Sequence, residues 1–216
     1  MRLTKFFLAL ACAASPLAAQ KWDLRFEVPF PEGQSLPQTM IAGTGQTVRG
    51  DLDTGNGGII SVSHRLIRVG PILRIDWGGE IAQWAANGIV EEGAASQNSK
   101  LKQTGAGLGI NAQLWLPFTG LCGEIGVIQR IQRYSYASGD AESKGTVGRT
   151  WLRVGARWRL PMVVARPYIT ATYQQPINKD QPVEIKSADD LAGYFKAQGK
   201  GQEFQRMWTF GLGVTF

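Results

Sequence analysis

Apolar and polar residues alternate with a period of two along most of this 216-residue chain. That pattern sorts side chains onto the two faces of a strand, whereas a helix would scatter them around its axis. Residues 22–30 put Trp22, Leu24, Phe26, Val28 and Phe30 on one side and Asp23, Arg25 and Glu27 on the other. Residues 101–116 send Ala106, Leu108, Ile110, Ala112, Leu114 and Leu116 one way and Gln103, Gly105, Gly107, Gly109, Asn111 and Gln113 the other. The same separation runs through 149–160 and through 203–216. Weaker alternation over 58–67, 72–85, 121–136 and 168–175 brings the expectation to eight strands.

The connections between these segments alternate in length. Tight links with proline, two of them also with glycine, fall at 68–71, 117–120 and 161–166. Long ones run over 31–57, 86–100, 137–148 and 176–202. All short turns therefore lie at one end of the sheet, the layout of an up-and-down transmembrane barrel with short periplasmic turns and long external loops. One loop contains a capped helix signal, Ser187-Ala188-Asp189-Asp190 followed by Leu191, Tyr194 and Phe195.

Alternation does not say which face is inside; the glycines do. Gly105, Gly107, Gly109, Gly211 and Gly213 sit on the polar face. Bare backbone in mid-strand gains nothing on a watery surface, but a narrow lumen needs the room. The polar face is thus expected to point inward and the apolar face into lipid. Inward residues then include the carboxylates of Asp23, Glu27, Asp76, Glu80 and Glu124 and the guanidiniums of Arg25, Arg74, Arg130, Arg153, Arg157 and Arg159. Isolated charges in so narrow a space are costly, and arginine matches carboxylate geometry, so a salt-bridged filling is expected. Trp84, Ile128 and Trp151 are candidates for an apolar stretch higher in the lumen. Trp22, Phe30, Trp115, Phe118, Trp158, Tyr168, Phe204 and Phe216 lie near strand ends, where rings favour the boundary between lipid and water.

The last segment, Phe210-Gly211-Leu212-Gly213-Val214-Thr215-Phe216, resembles the terminal strand of bacterial outer-membrane barrels. In architecture the whole chain past residue 19 is similar to the small eight-stranded OmpX-, OmpW- and OmpA-type proteins. The resemblance implies an all-β, antiparallel barrel in the bacterial outer membrane. It also implies contact with outer-membrane lipid and lipopolysaccharide, and an assembly machinery that reads Phe210, Leu212, Val214 and Phe216. Residues 1–19 fit an export signal: Arg2 and Lys5, an apolar run over 6–14, then small residues ahead of a cut before Gln20. Two domains of the reading follow: a cleaved signal over 1–19 and the barrel over 20–216. Removal of the signal takes Cys12 with it and leaves Cys122 without a disulfide partner.

Chemistry is sparse. Enzymes among outer-membrane barrels imply a histidine paired with serine or acidic groups, and the chain has one histidine, His64, in Ser63-His64-Arg65. Neighbours on a strand face opposite ways, so Ser63 is badly placed to serve it. One histidine and one remaining cysteine are too few for a soft metal site, and 51–57 lacks the terminal glutamate of a calcium loop. With 23 Lys and Arg interleaved among 17 Asp and Glu, no nucleic-acid surface stands out. The expectation is a non-enzymatic barrel without cofactor or metal, serving envelope integrity or surface interaction through its external loops. An OmpW-like conduit for small hydrophobic molecules is the alternative, and a lipid-modifying enzyme a more distant one.

Overall fold

A computed structural model describes residues 22–35, 39–40, 47–92, 95–138, 141–160, 166–177 and 206–216. The expected export signal, Phe204 and the capped segment at 187–195 lie outside the described residues. Eleven strands follow one another: β1 (Trp22–Pro31), β2 (Gln34–Ser35), β3 (Thr39–Met40), β4 (Thr47–Leu52), β5 (Asn56–Val69), β6 (Leu73–Glu92), β7 (Ala95–Trp115), β8 (Leu121–Ser138), β9 (Ala141–Arg159), β10 (Arg166–Pro176) and β11 (Met207–Thr215). Eight of them close a ring. Antiparallel pairing runs β6-β5-β1-β11-β10-β9-β8-β7, and β7 returns to β6. The eight strands expected from alternation are those eight. Within the ring each strand is paired on both sides, which removes the edges an open sheet would have at that level.

Two connections differ from expectation. Residues 86–100 and 137–148 are not long loops: β6 pairs with β7 up to Glu92↔Ala95, and β8 with β9 up to Ser138↔Ala141. These hairpins use strands of 18 to 21 residues, against 10, 11 and 9 in β1, β10 and β11. Their upper halves therefore stand above the rest of the rim. The third long connection holds β4, which pairs with the projecting part of β6 from Val48↔Glu92 to Leu52↔Gly88 and continues the line of β5 upward. At the opposite end the turns are tight. Gly70 and Gly120 take φ of +57° and +71°, left-handed values that cost a glycine little, and Phe118 takes +66° at the tip of its turn.

One seam in the wall is weaker than the others. The paired register between β1 and β5 stops at Glu27↔Ile59, although both strands run on. Trp22 exchanges both its backbone bonds with Phe216, so even-numbered residues of β1 bond toward β11 and odd-numbered ones toward β5. Pro29 and Pro31 are odd and bring no N–H to that side. Further up, the Gly55 amide reaches the Pro31 carbonyl at 3.4 Å.

Candidate functional site

The two faces of the wall have opposite characters. Leu108, Ile81, Ile131 and Leu212 point outward and are each about two-thirds exposed (66%, 65%, 64% and 64%). Pointing inward and buried are five carboxylates, those of Asp23, Glu27, Asp76, Glu80 and Glu124, and six guanidiniums, those of Arg25, Arg74, Arg130, Arg149, Arg153 and Arg157. Such a surface suits hydrocarbon and not water. Along β8 the outward residues stay free of charge from Leu121 to Ile131, about the 9–11 residues with which a tilted strand crosses a bilayer.

The glycines of the polar face make the packing possible. A Cβ on Gly107 would come within 2.8 Å of Arg130 Cγ, one on Gly105 within 2.9 Å of Gln132 Cγ, and one on Gly109 within 2.8 Å of Ile128 Cγ1. Side chains of β8 thus lie flat over the bare backbone of β7. Across the barrel the Tyr168 ring covers Gly213 in the same way.

The charges meet in tiers. Lowest, near the short turns, Asp23 binds Arg157 at 3.0 Å, lies 3.6 Å from Arg74, and accepts the hydroxyls of Tyr168 and Thr215. Asp76 takes Arg74 Nε at 2.5 Å and Gln113 Nε2 at 2.6 Å. In the middle, Arg25 holds Glu124 with two bonds of 2.9 and 3.1 Å, and Arg157 Nε and Asn111 donate to the same carboxylate. Above them Glu80 joins Arg130 and Arg153, while Glu27 accepts Thr209 at 2.8 Å and lies 3.5 Å from Arg153. Asp23, Glu27, Glu80 and Glu124 each face at least one guanidinium from another strand, and Asp76 is met by Arg74 two residues before it on β6, which is what makes burying them tolerable. A cavity among Arg25, Asp76, Glu80, Arg153 and Arg157 has a volume of about 40 Å³, space for no more than a few waters.

An apolar plug sits over the ions. Ile59, Ala82, Trp84, Ile128, Trp151 and Met207 form one buried cluster, with the Trp84 and Trp151 rings edge to face at 5.9 Å. The Arg130 guanidinium lies 4.7 Å from the Trp151 ring and joins the plug to the ions below. Trp151 Nε1 donates to Gln132, which donates to Gln103.

Of the residues expected inside, Arg159 stands apart: half-buried at the end of β9, its guanidinium lies 4.0 Å from the Trp115 ring, with no ion pair among the described residues. Two aromatic expectations are corrected. Tyr168 is not at the lipid boundary but 1% exposed in the lumen, on the same face as Thr170 and Thr172. Trp115 also turns inward and donates its indole N–H to Gln113 at 3.2 Å. Arg149, 2% exposed, is an inward arginine that sequence reasoning left out, although it shares its parity with Arg153 and Arg157. His64 points outward against the Trp22 ring at 4.7 Å.

No protein-family model matches the sequence, and no curated protein does. Among solved structures, Ail, the attachment invasion locus protein of Yersinia pestis, is similar over 91% of this chain and 99% of its own, at 8% identity and a TM-score of 0.47. Neisserial surface protein A is similar over 90% and 95%, at 13% identity and 0.45. The outer membrane protease OmpT from Escherichia coli is similar over 91% and 94%, at 11% identity and 0.38. The chain is an eight-stranded transmembrane β-barrel of the outer-membrane type. The likeness to these proteins is one of architecture, and no residue role passes from them to this barrel.

Proposed function

We propose that this barrel is a sealed, non-enzymatic outer-membrane protein that supports the envelope or meets partners through the hairpins standing above its rim. The observation that carries the reading is the tiered ion-pair network. Asp23, Glu27, Glu80 and Glu124 are tied to arginines on facing strands and Asp76 to Arg74 on its own strand, with the Trp84 and Trp151 plug above. Ions passing along the axis would have to break those pairs one tier after another. In this reading residues 1–19 export the chain, and the assembly machinery recognises Phe210, Leu212, Val214 and Phe216. The test is single-channel recording on the refolded chain in a planar bilayer. No steady unit current is expected, and a stable open level would overturn the sealed lumen.

A second reading, a sideways path for a small hydrophobic molecule, is favoured by one observation. The proline-weakened seam between β1 and β5 runs past Ile59, a member of the apolar plug. Uptake of an apolar fluorescent dye into vesicles carrying the barrel, without ionic current, is its signature.

A further inference from the structure

We infer that the outward face of β7, β8 and β9, just above the apolar belt, is a binding site for the phosphates of an outer-leaflet glycolipid headgroup. The inference rests on the outer-membrane placement proposed above, with the short turns on the inner side. Strand register brings six outward residues into two rows. Lys102 pairs with Ser135 and Ser135 with Lys144; one step closer to the membrane, Thr104 pairs with Arg133 and Arg133 with Thr146. Lys102, Arg133 and Lys144 are exposed, as are Thr104 and Thr146, while Ser135 is half-buried. Lys102 and Lys144 flank Ser135 on both sides, about 10 Å apart across two strand spacings. Arg133 lies below and between them, about 7 Å down the strand.

The grid has three cations and three hydroxyls, and none of its six positions holds a carboxylate. An arginine fork, two ammonium groups and neighbouring hydroxyls provide converging donors for phosphate oxygens. Depth supports the same ligand. The next row toward the membrane is Ala106, Ile131 and Gly148, and Ile131 is 64% exposed on the lipid-facing surface. The bases thus begin where hydrocarbon ends, at the level of lipid phosphates, and each basic residue there gains from an anionic surface. In the row above, Lys100 and Glu142 stand on either side of Ala137, so the cluster stays basic by three charges.

The experiment compares the folded wild type with Lys102→Gln/Arg133→Gln/Lys144→Gln in non-ionic detergent. The probe is bisphosphorylated lipid A, with bound lipid counted by native mass spectrometry. About a hundred-fold weaker binding is expected for the triple variant. Wild type should bind the same lipid stripped of its phosphates with similar weakness. Lys102→Arg/Arg133→Lys/Lys144→Arg should keep most of the affinity, and Arg68→Gln/Arg166→Gln, which changes exposed bases near the short turns, should bind like wild type. Equal binding by the triple variant, equal binding of the stripped lipid, equal loss in the Arg68 and Arg166 variant, or displacement by millimolar inorganic phosphate would each overturn the site. A chain that stays soluble and unfolded in detergent and lipid would instead overturn the membrane placement.

Discussion

Arg25 and Glu124, 99 residues apart in sequence, grip each other across the lumen through two parallel hydrogen bonds of 2.9 and 3.1 Å. Both side chains are buried, so removing either leaves a charge without its partner in a place water reaches poorly. Glu124→Ala should cost about 3–5 kcal/mol of stability, and Arg25→Ala a similar amount. The double variant should lose clearly less than the two single losses added together. Urea unfolding from lipid vesicles measures all three. Strict additivity would show that the two groups do not act as a pair.

The lumen glycines give a second contrast. A methyl group on Gly213 would fall 2.2 Å from the Tyr168 ring, whereas nothing lies within 4 Å of the same position on Gly123. Gly213→Ala therefore has to push the ring away from Asp23, whose carboxylate accepts its hydroxyl. A loss of about 1–3 kcal/mol is expected, with a changed tyrosine signal in near-ultraviolet circular dichroism. Gly123→Ala, outward and uncrowded, should leave both unchanged. Equal effects from the two would mean that space in the lumen is not what the glycines provide.

How far the sequence reveals all this follows from where hydrocarbon lies. Within the belt, lipid on one side and ions on the other force strict alternation, so the parity that places Arg153 and Arg157 inside can be read directly. Above the belt water touches the outer face, and Asn87, Lys100, Lys102 and Thr104 contrast less with their inward neighbours. The pattern fades there, and the upper halves of β6 to β9 look like loops. Arg149 belongs to that zone. Tyr168 is obscured for another reason: a tyrosine near a strand end suits the boundary equally well, and only its step of two from Thr170 and Thr172 marks it as inward.

His64 provides a direct test of the enzymatic alternative. Its ring packs edge-on against Trp22 on the lipid side, while Ser63 belongs to the other face of β5. His64→Ala is expected to shift the tryptophan emission and to leave the acylation pattern of lipid A in expressing cells unchanged. An altered pattern would bring the lipid-modifying reading back.

The seam between β1 and β5 makes the last expectation. A closed barrel normally bonds every odd residue of such a strand to its neighbour, yet Pro29 and Pro31 stand at two of those positions. Each missing N–H removes a ladder bond worth about 0.5–1.5 kcal/mol, so the upper part of this seam should open before the part held by Asp23, Arg25 and Glu27. By the same register Pro29 faces Gly57, and Pro29→Val would supply a donor there. Hydrogen exchange followed residue by residue should find the Gly57 amide faster than those of Ser61 and Ser63 in the wild type. In the variant the Gly57 amide should slow while the lower ones stay as they were. If the seam is also a sideways route for an apolar molecule, dye uptake should fall in step with that slowing. Uniform exchange along β5 would show that the prolines do not weaken the wall, and the lateral reading would lose its support.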